Sequence, residues 1–208
     1  MIYVFDDINS FNSEMLEKAT RQVSEQRRQY AAKYHFERDR KLCIIAYRLL
    51  QIALKREYNI AEEPEFAFYS NGKPYLQKYP SINFSLSHCN NAVACALSDN
   101  EIGIDVEDIQ PYNADMIDFC CNDAEKSHIN NASDPELEFT LLWTQKESAI
   151  KLNGATGSND LANILTNSDN YFMTFDGIGY VGAVCSSCTI TEKPVKVSVG
   201  QLLPTNTI

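Results

Sequence analysis

Two carboxylates, Asp105 and Glu107, lie two residues apart in the stretch IGIDVE at positions 102–107. Side chains of an extended strand alternate between its two faces, so both carboxylates project to one side, about 7 Å apart, while Ile104 and Val106 point into a core. Such a pair is a suitable platform for Mg²⁺, which binds carboxylate oxygens together with water and phosphate. By itself the hexapeptide is more simply an amphipathic strand with an acidic, solvated face, so the metal hypothesis depends on other residues.

A third carboxylate lies in the helical stretch WTQKESAIK at positions 143–151. Trp143, Glu147 and Lys151 follow one another at four-residue steps, which places them along one face of a helix. A surface ion pair between Glu147 and Lys151 beside a core tryptophan is the alternative interpretation. If this face meets Asp105 and Glu107, three carboxylates could hold Mg²⁺ over a phosphoryl group.

The stretch SLSH at positions 85–88 offers two further polar groups. Ser87 and His88 could donate hydrogen bonds to phosphate oxygens. A lone histidine is more often structural, so this role again depends on its neighbours. A Ser/His hydrolase is less favoured, because the serine is not in a G-x-S-x-G elbow and adjacent side chains cannot easily face each other.

Strands and helices must position these residues, and the hydrophobic patterning predicts where they run. The first half is predicted to contain a strand at 2–6, helices at 13–34 and 37–58, a strand at 65–70 and two apolar strands within 82–97. The turn at 98–100 predicts a hairpin between that region and the strand at 102–107. The second half is predicted to contain helices at 113–129 and 133–152, a polar loop at 154–170, a hairpin at 171–186 and a last strand at 195–203. The pattern indicates an α+β fold of two similar halves, residues 1–100 and 101–208, and suggests internal duplication.

The charge is distributed unevenly along the 208 residues, whose net charge is −10. Residues 1–60 contain eleven of the eighteen Lys and Arg residues against eight acids, and the remainder contains seven against twenty. An acidic chain without a basic stripe argues against duplex nucleic acid as a partner. The basic N-terminal segment could instead meet a small polyanion, although solvated helix faces explain any single cation equally well.

The apolar content and the cysteines bear on the compartment. No apolar run approaches the roughly 18 residues of a membrane span, and the start MIYVFDDINSF lacks the plan of a signal peptide, so we expect a cytoplasmic protein without a membrane partner. Seven cysteines are an odd number, which argues against a complete disulfide framework. Cys185 and Cys188 have redox or zinc spacing, but no second CxxC or nearby histidine accompanies them.

Taken together, four ordered motifs resemble those of the 4'-phosphopantetheinyl transferases. They are GKP at 72–74, NFSLSH at 83–88, IGIDVE at 102–107 and WTQKESAIK at 143–151. Their spacing is similar to that of the surfactin-type subgroup, whose two halves complete one site in a monomer. The resemblance implies transfer of the 4'-phosphopantetheine arm from coenzyme A to a serine of an apo acyl or peptidyl carrier protein, which leaves adenosine 3',5'-bisphosphate.

The resemblance also implies roles for individual residues. Three carboxylates match the family's Mg²⁺ ligands: Asp105, Glu107 and Glu147. Glu147 also matches a catalytic base, and Lys151 and His88 match catalytic groups near the transferred phosphate. The resemblance also implies that six residues contact the coenzyme: Arg40, Lys73, Ser87, His88, Glu125 and Lys151.

Two alternatives stay open beside the transferase. A Mg²⁺-dependent phosphohydrolase could use the same carboxylates on water, and a non-catalytic relative could bind coenzyme A or a carrier without turnover. The carrier's pathway and its docking surface are left open. The acidic second half is an unexpected feature for an enzyme whose carrier partners are usually acidic.

Overall fold

The structure is a computed structural model that describes residues 1–111, 113–154, 160–166 and 169–203. The first half contains β1 (Ile2–Phe5), α1 (Ser13–Arg21), α2 (Glu25–Ala31), α3 (Glu37–Tyr58), β2 (Phe66–Phe68), β3 (Pro74–Leu76), β4 (Asn83–His88) and β5 (Val93–Ser98). The second half contains β6 (Ile102–Asp108), α4 (Ala114–Cys120), α5 (Asp123–Asn131), α6 (Pro135–Asn153), a 3-10 helix (Leu161–Thr166), β7 (Tyr171–Gly177), β8 (Tyr180–Ser186), β9 (Val195–Lys196) and α7 (Val199–Leu202). The predicted α+β class with two halves is confirmed.

Each half packs one long helix against one sheet. The first sheet has the strand order β4-β5-β1-β9, in which β9 comes from the end of the chain. Helix α3 covers this sheet with buried residues at three- and four-residue steps, among them Leu42, Ile45 and Leu49. In the second half the order is β6-β8-β7, antiparallel throughout, and α6 lies on β6 and β8. Burying an apolar helix stripe on a sheet face is the usual way to build such a layer.

Two predicted helices are each divided by a capping residue. The helix predicted at 13–34 is α1 and α2, and the Ser24 side chain accepts a hydrogen bond from the Arg27 amide to begin the second helix. The helix predicted at 113–129 is α4 and α5, and Asn122 begins the second with a capping box that includes Glu125. Ser and Asn side chains satisfy the free amides of a helix start, which outweighs continuous helical patterning at these points.

The predicted hairpin between β5 and β6 is wrong. Both edges of β5 are already occupied, by β4 and β1. β6 instead pairs with β8 in the other sheet, with Asp105 opposite Ala183. The short turn at 98–100 therefore joins two sheets, because the partner that β6 needs lies about eighty residues further along the chain.

The C-terminal segment also differs from its prediction. The strand predicted at 195–203 is only the short β9, which pairs in parallel with β1, followed by α7 with a capping box at Ser198 and Gln201. The chain thus returns to the first sheet. The predicted loop at 154–170 contains the 3-10 helix, and its residues 155–159 and 167–168 lie outside the described residues.

Two further findings concern the membrane and the cysteines. None of the helices in the described ranges has the length and apolarity needed to cross a membrane. All seven cysteines are free, with Cys185 buried and Cys188 partly exposed.

Candidate functional site

A cleft of about 350 Å³ lies between the two halves. Helices α2 and α3 form one wall, β4 lies at the floor, and β6 and α6 form the other wall. Six of the residues singled out by the motifs line it together: Ser87, His88, Asp105, Glu107, Glu147 and Lys151. Their lining neighbours from the first half are Arg27, Tyr30, Tyr34, Cys43, Ala46 and Leu86.

Asp105 is the most enclosed of the three carboxylates, with an exposed fraction of 3%. Its Oδ1 accepts hydrogen bonds from Lys151 Nζ at 2.6 Å and from Ser87 Oγ at 2.8 Å. Among the described residues, its Oδ2 is buried and has no hydrogen-bond partner. An unpaired buried carboxylate oxygen is costly, so this atom is a candidate ligand for a cation.

The serines of β4 connect the two sheets at this point. Ser85 Oγ accepts from the Ile104 amide at 3.0 Å, and Ser87 Oγ accepts from the Val106 amide at 3.3 Å. Lys151 Nζ also donates to Ser87 Oγ at 2.9 Å. Since β4 and β6 belong to different sheets, these side chains satisfy amides that no neighbouring strand pairs, and they fix the edge that carries Asp105.

The other two carboxylates lie where negative charge is disfavoured. Burial, and then the charge of Asp105, raise the pKa of Glu107 to about 7. The same two causes raise the pKa of Glu147, against the opposing effect of Lys151. Lys151 pairs with Asp105, and among the described residues neither Glu107 nor Glu147 forms an ion pair, so a bound cation would favour the charged forms of both.

His88 lies at the end of β4, at the mouth of the cleft, and remains in contact with solvent. Partial burial, and then the positive charge of Lys151, lower the pKa of His88. The imidazole is therefore neutral at pH 7 and can donate one hydrogen bond from its protonated nitrogen.

Gly103 allows α6 to approach β6 closely enough to build this arrangement. A Cβ at this position would lie 2.0 Å from the Ser148 carbonyl oxygen and 2.5 Å from the Leu152 amide nitrogen. The residue is thus needed for close backbone approach. The approach presents Glu147 and Lys151, which flank Ser148 on the helix, to Asp105.

The cleft suits a divalent cation in its donor chemistry. Carboxylates are the ligands that Mg²⁺ prefers, and Asp105, with its unpartnered Oδ2 among the described residues, lines the cleft together with Glu107 and Glu147. In the described ranges, no three Asp, Glu, His or Cys side chains already converge as a formed metal site. These residues fit the ion as a donor set whose side chains would have to turn toward it.

The structure does not bring the other three predicted coenzyme contacts into this cleft. Lys73 is buried and donates to Glu101 Oε2 at 2.6 Å and to the Leu152 carbonyl at 2.7 Å, at the end of α6. Arg40 Nη1 donates to the backbone carbonyls of Tyr34 at 3.2 Å and of His35 at 3.3 Å.

Glu125 is the third of these residues and does not line the cleft. It accepts two hydrogen bonds of 2.9 Å from the fully buried Lys146, which also donates to the Leu161 carbonyl at 2.9 Å. This ion pair fastens α5 and the 3-10 helix to α6. The coenzyme roles of Lys73, Arg40 and Glu125 therefore stay predictions.

The sequence reasoning missed Arg27 as a residue of the site. Its guanidinium donates to the Cys43 carbonyl at 2.9 Å and lies 5.2 Å from the ring centroids of Tyr30 and Tyr47. Among the described residues its Nε has no hydrogen-bond partner although it is buried. Arg27 also lines a neighbouring aromatic cavity of about 220 Å³. The only signal in the sequence was the excess of basic residues before position 41.

Comparisons with known proteins agree with the motifs. Residues 10–100 match the family model described as 4'-phosphopantetheinyl transferase, N-terminal, and residues 101–188 match that of the 4'-phosphopantetheinyl transferase superfamily. The chain is 30% identical over 135 residues to the 4'-phosphopantetheinyl transferase psf-1 of Bacillus pumilus, covering 64% of this chain and 58% of that protein. It is 26% identical over 135 residues to the 4'-phosphopantetheinyl transferase Sfp of Bacillus subtilis (strain 168), covering 64% and 60%.

A similar match is found to the 4'-phosphopantetheinyl transferase AcpT of Escherichia coli (strain K12), 30% identical over 106 residues, covering 48% of this chain and 53% of that protein. The chain therefore spans less than two thirds of the length of these curated relatives. The two family models, both of one superfamily, together extend over residues 10–188 without a gap between them. The chain belongs to the 4'-phosphopantetheinyl transferase superfamily, in its surfactin-type subgroup.

Proposed function

We propose that this protein transfers 4'-phosphopantetheine from coenzyme A to a serine of an apo acyl or peptidyl carrier protein. The observation that supports this most is the meeting of Asp105, Glu107, Glu147, Lys151 and His88 in one cleft between the halves. The chemistry requires positioned charge beside a pyrophosphate and a group that accepts a proton, and this set contains both.

In the proposed reaction the serine oxygen attacks the phosphorus that carries the pantetheine arm. A new P–O bond forms, the bond to the bridging pyrophosphate oxygen breaks, and adenosine 3',5'-bisphosphate leaves with that oxygen. Glu147 is the proposed acceptor of the serine proton, because its carboxylate lines the cleft and is not paired with Lys151 in the described residues. Lys151, Ser87 and His88 are proposed to donate to phosphate oxygens and thus to balance charge that develops on them.

We further propose that Asp105, Glu107 and Glu147 hold Mg²⁺. When bound, the ion would neutralise charge on the phosphate oxygens as a Lewis acid. Ser87 holds Asp105 in place from the neighbouring sheet, so the donor set would rest on both halves of the molecule.

Coenzyme A is proposed to enter along the first-half wall of the cleft, which carries Arg27. Arg27 lies between the carboxylate cleft and the aromatic cavity, and its guanidinium could contact a phosphate of the coenzyme while aromatic rings face the remainder. The coenzyme contacts predicted for Arg40, Lys73 and Glu125 belong to this proposal. We also propose that residues 1–100 bind the coenzyme while residues 101–208 carry the metal ligands and catalytic carboxylates. A monomeric state and a cytoplasmic location are part of the same proposal.

The decisive experiment is to incubate the protein with coenzyme A, Mg²⁺ and several apo carrier proteins, and to weigh the carriers. We expect one carrier to gain the mass of one phosphopantetheine group. The carrier should no longer gain this mass when its acceptor serine is replaced by alanine. No mass gain on any carrier would remove the transferase proposal. Hydrolysis of coenzyme A without a carrier would point to the phosphohydrolase instead.

Glu147→Gln tests the proposed proton acceptor. We expect kcat to fall by about 100-fold or more, because a general base typically contributes that much, while coenzyme A still binds in a calorimetric titration. The matched control is Glu138→Gln on the same helix, where the carboxylate contacts His128 outside the cleft. Equal turnover by the Glu147 and Glu138 variants would remove Glu147 from the mechanism.

A further inference from the structure

The carboxylate of Asp108 binds the tip of the hairpin that carries His88. Residues 89–92 connect β4 to β5, and Asn90 and Asn91 form the tip of this connection. Asp108 Oδ2 accepts a hydrogen bond from the Asn90 amide at 3.0 Å, and its Oδ1 accepts one from the Asn91 amide at 3.1 Å. The Asn91 side-chain amide also donates to Oδ1, at 2.8 Å. One carboxylate at the end of β6 therefore satisfies three donors that belong to the other sheet.

The conformation of this connection explains why it needs an acceptor from outside the hairpin. A backbone hydrogen bond from the Cys89 amide to the Ala92 carbonyl, at 2.9 Å, closes the hairpin and leaves two residues at its tip. Two-residue tips are favoured when one or both residues have a positive φ, and neither Asn90 nor Asn91 does. Their amides must be satisfied by water or by a side chain, and the carboxylate of Asp108 accepts both. The tip therefore depends on β6 for its geometry.

The turn between β7 and β8 belongs to the same junction. The Ile109 amide donates to the Gly179 carbonyl at 3.2 Å, and Asn91 Nδ2 reaches the same oxygen at 3.4 Å. A Cβ at Gly179 would lie 3.3 Å from Asn91 Nδ2, which is closer than ordinary contact. Hydrogen bonds to a charged acceptor are stronger than those to a neutral carbonyl, so Asp108 is the main anchor. The tip is thus held by two segments of the second half.

Alternation along β6 keeps Asp108 out of the cleft but next to its polar groups. Asp108 lies on the strand face that carries Ile104 and Val106, which pack against residues of the first sheet. It does not line the cleft. Its neighbour Glu107 does, and so does His88, which comes directly before the connection that Asp108 holds. Any effect of Asp108 on the cleft therefore passes through the backbone that it fixes.

We propose that Asp108 is a positioning residue, which holds the hairpin tip so that the His88 imidazole faces the phosphate oxygens in the cleft. This inference rests on the proposed transferase function, in which His88 donates to a phosphate oxygen, and adds to it a residue outside the cleft. A hydrogen bond weakens steeply when its angle falls below about 120°, so the direction of the donor matters. Without Asp108 the strand end at His88 can fray, which misdirects the imidazole without removing it.

The test is a double-mutant cycle on kcat/KM for coenzyme A at a saturating concentration of carrier. We expect His88→Ala to lower this ratio by about tenfold, which is typical of one lost hydrogen bond to a charged group. Asp108→Ala should lower it by about fivefold. In the His88→Ala background the same change should cost less than about twofold, because the residue that it positions is gone. A double variant that shows the product of the two single effects, about fiftyfold, would overturn the proposal.

Two further variants control for charge and for folding. Asp99→Ala removes the same group at the other end of this hairpin, where the carboxylate accepts from Tyr58 Oη at 2.8 Å, and should leave kcat/KM unchanged. Asp108→Asn keeps one carbonyl oxygen for the tip and should recover part of the loss. It also allows the cycle with His88→Ala to be run if Asp108→Ala does not fold. Equal kcat/KM values for the Asp108 and Asp99 variants would overturn the proposal.

A readout without turnover separates this inference from the proposed function. The chain has three histidines, His35, His88 and His128, whose imidazole signals can be followed by NMR and assigned with His88→Ala. We expect Asp108→Ala to shift or broaden the His88 signals and to leave the other two unchanged. If this change appears but the unmodified protein transfers to no carrier, only the proposed function has failed. If the protein transfers, and neither the His88 signals nor kcat/KM respond to Asp108→Ala, only the positioning role has failed.

Discussion

Gly103→Ala should damage both the stability and the activity of this protein through one added methyl group. The new Cβ would lie 2.0 Å from the Ser148 carbonyl oxygen and 2.5 Å from the Leu152 amide nitrogen. Both atoms belong to the backbone of α6, so no side-chain rotation can make room. Since ordinary contact begins at 3.4 Å, the helix has to move away from β6 by roughly 1 Å or more.

The magnitude follows from two opposing effects. Replacing a strand glycine by alanine removes freedom from the unfolded chain and stabilises by about 0.5–1 kcal/mol. Overpacking of a closed contact costs about 1–3 kcal/mol, and the upper part of this range applies because backbone has to move. We therefore expect a net loss of about 2 kcal/mol in the free energy of unfolding, which is a substantial part of a typical total of about 5–15 kcal/mol.

Urea unfolding and transfer kinetics check this prediction together. With a denaturant slope of about 2 kcal/mol per molar urea, the midpoint should fall by about 1 M. The shift also moves Glu147 and Lys151 relative to Asp105, and a displacement of about 1 Å in a catalytic arrangement can reduce kcat by about 100-fold.

The control is Gly200→Ala in α7, where the nearest atom to a new Cβ is Ser198 Oγ at 4.0 Å. It should be neutral or slightly stabilising, since alanine is the better helix former. If Gly103→Ala unfolds at the same urea concentration as Gly200→Ala and keeps its kcat, α6 does not depend on this close approach and the account of the site's geometry is refuted.

Two further predictions concern buried groups. Lys146→Met should lower the free energy of unfolding by about 3–5 kcal/mol in denaturant titrations, because it leaves the largely buried Glu125 carboxylate without its cation. The control is Lys126→Met, which should have no measurable effect because its partner Asp118 is solvent-exposed. Equal losses of stability in the two variants would contradict this explanation. Alkylation at pH 8 should modify Cys188 well before the buried thiols: burial raises the pKa of Cys89 and of Cys185 to about 12, so their reactive thiolates appear only as the pH approaches that value. Mass spectrometry of the native protein would count the labels, and early labelling of Cys89 or Cys185 would show that these sites open.

Local patterns in the sequence predicted much of the fold. The alternation in IGIDVE predicted a strand with Ile104 in the core and Asp105 on the opposite face; this strand is β6, with Ile104 buried and Asp105 lining the cleft. The Asp134-Pro135 start and the Gly154 end bounded α6, whose Asp134 side chain caps the Leu137 amide. Capping and periodicity are local properties, because they depend on residues within a few positions of one another.

The predictions that were wrong concern contacts between segments that are distant in the sequence. The sequence placed β6 in a hairpin with β5, because a short turn joins them, but pairing depends on which strand edges remain free after the whole sheet has formed. Likewise the end of the chain contributes a two-residue strand to the first sheet, where the edge of β1 is open.

The candidate site divides in the same way. The residue types and their spacing, by themselves, determined that Asp105 and Glu107 share a strand face and that Glu147 and Lys151 share a helix face, because these relations follow from backbone periods. Only the tertiary structure decided that the two faces meet, with Ser87 bridging the sheets and Gly103 admitting the helix. It also decided which cations face the cleft: Arg27 does, whereas the charge of Lys73 is taken up by Glu101 and the end of α6. The partner of a long side chain is set by whatever distant segment packs within its reach, and no local pattern encodes that.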